Sequence, residues 1–141
     1  MWYFAYGSNM DLERMEHRGV QVKKRFPGVL SGYTLVFDVP SKQGGAAANI
    51  IANNTGTVEG ILYWISKNSL DTLATFEVHY RQKEVTITKF DGEAVKACVF
   101  ISDQHQPDIR PTKDYLAHLL KGQAYLSHYY WSKIKHIYNN V

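Results

Sequence analysis

The chain opens on an aromatic run, Trp2-Tyr3-Phe4-Ala5-Tyr6, that stops at Gly7-Ser8-Asn9. Five such residues suit a short strand, and the small, hydrogen-bonding residues that follow break it. The next stretch, "SNMDLERMEHRG", reads as a helix. Ser8 or Asn9 can cap it, Asp11 and Glu13 lie in its first turn, Arg14, His17 and Arg18 lie late, and Gly19 follows as a stop. A strand, a Gly-Ser-Asn break and a helix start bring unpaired backbone N–H groups to one point. Gly7 lets a ligand approach the backbone closely, and Ser8 adds a hydroxyl. Residues 6–8 therefore read either as a binding loop or as an ordinary capped turn.

The rest of the chain reads as strands with helices between and after them. "YTLVFDV" (33–39) is a strand between Gly32 and Pro40, and 41–49 is a flexible loop of small residues. Residues 49–65 read as a hairpin turning at Asn53-Asn54-Thr55-Gly56. Residues 66–77 suit a short helix capped by Ser66, Asn68 or Ser69. Strands at 80–90 and 93–101 flank Asp91-Gly92, a strong hairpin signal. A loop then leads to two helices, 112–124 and 127–138, interrupted around Gly122 to Ser127. Hairpin turns imply antiparallel pairing. The expected fold class is α+β, with a mostly antiparallel, strongly curved or barrel-like sheet and flanking helices.

At 141 residues, one domain spanning 1–141 is expected. No apolar run reaches the length of a membrane span, and no charged leader with a cleavage site precedes the first strand, so a cytoplasmic protein is expected. The single cysteine, Cys98, allows no internal disulfide. A net charge of +3 permits anionic small substrates and requires no nucleic acid.

Most candidate chemistry has a plainer explanation. The six histidines, at 17, 79, 105, 118, 128 and 136, include no pair at one-turn spacing and no supporting cysteine cluster, so no metal is expected. Cys98 lies in an alternating strand and reads as a packing residue. The glycine-rich 44–48 loop lacks the Lys-Ser/Thr ending of a phosphate loop. "HYYWSKIKH" mixes bases with aromatics as an RNA-binding surface does, but an amphipathic helix packing its aromatics inward accounts for it.

The opening stretch carries more. "FAYGSNM" near the N-terminus resembles the signature of the γ-glutamylcyclotransferase family, including its avirulence-induced-gene-like members. The resemblance continues in order through "GYTLVF", "GGAAANIIANNTGTVEGILYWI", "LDTLATFE", "YRQKEVTI" and "PTKDYLAHLLKGQA", and so covers nearly the whole chain. It implies a binding loop at Tyr6, Gly7 and Ser8, with Tyr3, Phe4 and Ala5 on the strand beneath. It implies Glu77 as general acid/base and Tyr115 as a substrate-contacting tyrosine. The chain departs from the family in one place: Glu77-Val78-His79-Tyr80-Arg81 is shorter than the usual segment, which has a glycine after the glutamate. That difference bears on the shape of the substrate pocket.

The implied reaction suits these residues. A γ-glutamyl amide carries its own nucleophile, the α-amine, which closes a five-membered ring on the γ-carbonyl. The products are 5-oxoproline and a free amine. No metal, cofactor or enzyme nucleophile is needed. The Gly7-Ser8 backbone would stabilise the carbonyl oxygen, and one carboxylate would move the proton. Glu77 is expected at a helix C-terminus, where the dipole raises a carboxyl pKa. The expected partner is a small γ-glutamyl substrate, with no nucleic acid and no membrane. The alternative is a non-catalytic binding or interaction domain of the same fold. It would keep the pocket and have no need of Glu77.

Overall fold

The computed structural model describes residues 1–141. Five strands, β1 (Trp2–Ala5), β2 (Lys24–Pro40), β3 (Ala46–Trp64), β4 (Arg81–Lys89) and β5 (Ala94–Ile101), close into a barrel in the order β1-β3-β2-β4-β5. Every pairing is antiparallel except β1 with β5, which closes the barrel through the parallel pair Tyr3 and Cys98. Four helices flank it: α1 (Leu12–His17), α2 (Lys67–Ala74), α3 (Lys113–Leu120) and α4 (His128–Asn139). The expected α+β class, with a curved and mostly antiparallel sheet, is the one observed.

Alternation along the strands divides the core in two. Phe4, Leu30, Leu62, Ile87 and Val99 point into the barrel and pack together. Tyr3, Ala5, Ile61, Tyr63 and Phe100 point the other way, onto Met15, Leu70, Leu116, Leu119 and Ile134 of the four helices. The basic, aromatic segment at 128–136 is thus part of an amphipathic helix, with Ile134 buried and Tyr130 and Tyr138 packed against the core.

Three local expectations change. The hairpin at Asn53–Gly56 does not form. The segment runs through as one strand because β2 is long enough to pair with both of its halves: Thr57 lies opposite Ser31, and Ala52 lies opposite Tyr33. The intervening residues are absorbed as a wide bulge against Gly32, which adopts φ 86°. Asn53 Oδ1 accepts from the Thr55 amide at 3.2 Å inside it.

The flexible loop is also shorter than expected. Residues from Ala46 onward are already in β3, and the turn is confined to 41–45, where Gly44 and Gly45 take positive φ. Finally, no α-helix begins at Ser8. Ser8–Met10 form a single 3-10 turn, and α1 starts at Leu12 under Asp11, whose Oδ1 accepts from the Glu13 amide at 3.1 Å. Asp11 caps α1, so Asn9 is free for another task. Gly19, with φ 81°, stops α1 as the sequence implies.

Candidate functional site

Beyond the end of β1 the chain leaves the sheet and makes the 6–10 turn at the rim of the barrel. The Gly7, Ser8 and Asn9 amides donate to no backbone carbonyl. Gly7 has φ −116° and ψ −138°, so its role is not left-handed backbone. It is needed for space. A Cβ there would sit 3.1 Å from the Tyr115 hydroxyl and 3.2 Å from the Ala48 Cβ.

A cavity of about 220 Å³ opens against this turn. Its walls include Tyr3, Tyr6, Gly7 and Ser8, together with Glu77 and Tyr115 from distant parts of the chain. The structure thus gathers six of the eight residues singled out from the sequence. Phe4 and Ala5 do not line it. Phe4 is fully buried in the barrel, and Ala5, 1% exposed, packs under the helices.

Glu77 lies past the end of α2, in a pair of tight turns. Its amide donates to the Ala74 carbonyl, and its own carbonyl accepts from the Tyr80 amide, both at 3.1 Å. These turns aim the side chain at the 6–10 segment. Asn9, itself 3% exposed, links the two. Its Nδ2 donates to Glu77 Oε1 at 3.1 Å and to the Tyr3 hydroxyl at 3.0 Å. Its Oδ1 accepts from Arg18 Nη1 at 3.0 Å, and its backbone carbonyl accepts from the Tyr63 hydroxyl at 2.8 Å. Arg18 Nη1 lies 3.5 Å from Glu77 Oε1, and its guanidinium is stacked over Phe76.

Burial raises the Glu77 pKa above 4.5, against the opposing pull of Arg18, the Asn9 hydrogen bond and Arg14. The expected cause was a helix dipole. Desolvation replaces it, because the residue lies beyond the helix and its side chain is only 15% exposed.

The opposite wall rests on Ala48. β1 pairs with β3 only over residues 61–64, so it does not reach Ala48. Tyrosine hydroxyls satisfy that backbone instead. The Ala48 amide donates to the Tyr115 hydroxyl at 2.8 Å, and its carbonyl accepts from the Tyr80 hydroxyl at 2.7 Å. The short 77–81 segment brings Tyr80 to this position. Burial pushes the Tyr115 pKa up to about 12, so the group is a neutral phenol at pH 7. Its oxygen is taken by Ala48, and its proton makes no hydrogen bond within the protein. It is a donor held at the cavity wall beside Gly7.

Sequence reading missed Asn9, Arg14, Arg18 and Tyr80. The first three looked like helix cap and helix-end charges. Only the relocation of the cap to Asp11 would have freed Asn9 for the site. Among the histidines, four have defined partners: His118 with Asp11, His105 with Asp38, His79 with Gln104 and His128 with Ser132. No group of three or more His, Cys, Asp or Glu side chains is placed to hold a metal ion.

The chain as a whole resembles known proteins in sequence and in fold. The family model described as "Gamma-glutamyl cyclotransferase, AIG2-like" matches residues 3–117, and the chain belongs to that family. YkqA of Bacillus subtilis (strain 168), which carries a provisional gamma-glutamylcyclotransferase name, is 32% identical across the whole of this chain. The chain spans 53% of that protein's length. The crystal structure of YkqA superposes with a TM-score of 0.89 at 31% identity, covering all of this chain and 55% of the other. A solved structure described as "Gamma-glutamyl cyclotransferase" superposes with a TM-score of 0.86 over 96% of this chain and 86% of its own, and at 22% identity it supports the fold alone. No helix is long and apolar enough to cross a membrane.

Proposed function

We propose that the protein cyclises a γ-glutamyl amide to 5-oxoproline and releases a free amine. The observation that carries this reading is Glu77, a largely buried carboxyl with a raised pKa, tied by Asn9 to a turn whose Gly7, Ser8 and Asn9 amides donate to no backbone carbonyl. In the reaction the substrate α-amine attacks its own γ-carbonyl carbon. A ring C–N bond forms, and the bond to the leaving nitrogen breaks. Glu77 as carboxylate removes one proton from the attacking ammonium and delivers it to the leaving nitrogen. The second proton, shed by the ring nitrogen once the C–N bond has formed, passes to the departing amine, which leaves as an ammonium, and Glu77 ends unchanged. A raised pKa suits both halves of this task, because the group is a stronger base when ionised and still a competent acid when protonated.

The γ-carbonyl oxygen gains negative charge on the way. The Gly7 and Ser8 amides supply fixed donors to it, and the Tyr115 hydroxyl offers a proton from the neighbouring wall. Folding the substrate in a cavity of about 220 Å³ brings its two ends together, and proximity supplies much of the acceleration. The test is incubation of the protein with a panel of γ-glutamyl compounds: γ-glutamyl amino acids, glutathione and γ-glutamyl alkylamines. Mass spectrometry should find 5-oxoproline with at least one member and not with the corresponding α-glutamyl isomers. Absence of 5-oxoproline throughout would leave a binding domain of the same fold.

A further inference from the structure

We propose that Arg14 is a substrate-binding residue that holds the carboxylate beside the reacting amine. This assignment rests on the cyclisation reading above. Arg14 of α1 and Arg18, which follows its last residue, line the cavity, and they differ in their partners. Arg18 is paired with Glu77 and Asn9. Arg14 is paired with no carboxylate. Its single hydrogen bond runs from Nη1 to His118 Nε2 at 3.3 Å, and its buried Nε has no acceptor at all.

A half-buried guanidinium with one imidazole partner and no carboxylate is an unusual thing to keep. Burial, and then the adjacent Arg18 charge, disfavour its cationic form. An anion brought into the cavity removes that penalty, because charge-assisted hydrogen bonds to a carboxylate are strong and directional. The group is also held in place. Asp11 Oδ2 lies 2.8 Å from His118 Nδ1, which holds the ring with Nε2 turned toward Arg14. Asp11, which caps α1, thereby anchors Arg14 through a histidine from α3.

The position matches the substrate's chemistry. Arg14 lines the same cavity as Glu77 and Tyr115. A γ-glutamyl group has one fixed anion, the α-carboxylate, on the carbon that bears the attacking amine. Held at Arg14, that carboxylate places the amine on the side of the cavity where Glu77 takes its proton. The leaving group needs no such anchor, so recognition by Arg14 selects the glutamyl half and tolerates variation in the amine.

The experiment compares γ-glutamyl-L-alanine with 4-aminobutanoyl-L-alanine, which can still cyclise but lacks the α-carboxylate. Binding of 5-oxoproline and 2-pyrrolidone is compared in parallel by calorimetry. In each pair wild type should favour the compound that carries the glutamyl α-carboxylate, on the carbon next to the reacting nitrogen, by about ten- to a hundredfold, the range for a hydrogen bond to a charged group. Arg14→Gln should bring both ratios close to one. A folded Arg14→Gln protein with wild-type ratios overturns the assignment. If that variant does not fold, Arg14→Lys decides, since it keeps the charge and loses the planar fork: an unchanged ratio overturns the proposal, and a several-fold loss supports it. Wild-type turnover with ratios indifferent to Arg14 rejects this residue and leaves the reaction standing. Arg14-dependent binding of 5-oxoproline without turnover rejects the reaction and keeps the site. Failure of every compound to bind or react rejects both.

Discussion

Replacing Glu77 by glutamine preserves the shape of the side chain and its acceptor for Asn9 Nδ2, 3.1 Å away, while removing the ability to carry a proton. If Glu77 moves the proton between attacking and leaving nitrogens, turnover should fall by about two to four orders of magnitude. Binding of 5-oxoproline should change little, because the Gly7-Ser8 turn and Tyr115 are untouched. Stability moves the other way. In the unfolded chain the carboxyl titrates near 4.5, and burial raises this value in the folded protein. Between those two values the folded state holds the proton more often than the unfolded state, so stability falls as pH rises through that window.

Above the window, ionised Glu77 is a net destabilising charge. Below about pH 4.5 both states are protonated and the effect disappears. Arg18 loses a charged partner in the variant, but the net upward shift means that burial outweighs that attraction. Glu77→Gln should therefore melt higher than wild type at neutral pH, with the advantage vanishing on acidification. Thermal melting across pH and 5-oxoproline formation should be measured on the same preparations. A folded variant with wild-type turnover would refute the catalytic role. A variant destabilised at neutral pH, with turnover per folded molecule intact, would make Glu77 a structural tie between the 6–10 turn and the 75–80 segment.

Gly7→Ala needs no backbone rearrangement at φ −116°, yet its methyl group would stand 3.1 Å from the Tyr115 hydroxyl. Affinity for 5-oxoproline should drop by about tenfold or more, and stability should fall by no more than the roughly 1–3 kcal/mol of the Tyr115 bond to the Ala48 amide that the displaced phenol gives up; equal affinities in calorimetric titration would move the site elsewhere. Tyr115→Phe leaves the amide of buried Ala48 without an acceptor and should cost about 1–3 kcal/mol in urea unfolding. Wild-type kcat/KM should rise with pH through a pKa above 4.5 as Glu77 becomes the base, and this limb should be absent from the residual rate of Glu77→Gln. Gly28→Ala would place a methyl 2.7 Å from Ile87 Cγ2 inside the barrel, and overpacking there should cost about 1–3 kcal/mol by the same unfolding measurement.

The local signals in this sequence are those that depend on neighbours in the chain. Gly19 stops α1, Asp91-Gly92 turns β4 into β5, and Ser66 caps α2 through the Ser69 amide, as their residue types imply. The break at Gly7-Ser8-Asn9 implies a turn, whose amides donate to no backbone carbonyl, and family resemblance singles out Glu77 and Tyr115. What failed were readings in which a distant partner outweighed local preference. Asn53-Asn54-Thr55-Gly56 has hairpin composition, but β2 offers ladder hydrogen bonds on both sides of it, and a bulge satisfies more backbone than a turn with nothing to pair against.

The same reason hid half of the site. Asn9, Arg14 and Arg18 are spaced as cap and helix-end residues, and nothing local distinguishes them from solvated ones. Their roles come from contacts 68, 104 and 59 positions away in sequence, to Glu77 and His118. Sequence specified the turn and the carboxyl. Closure of the barrel decided that they meet, which cation stands beside the carboxyl, and that burial rather than a helix dipole sets its proton affinity.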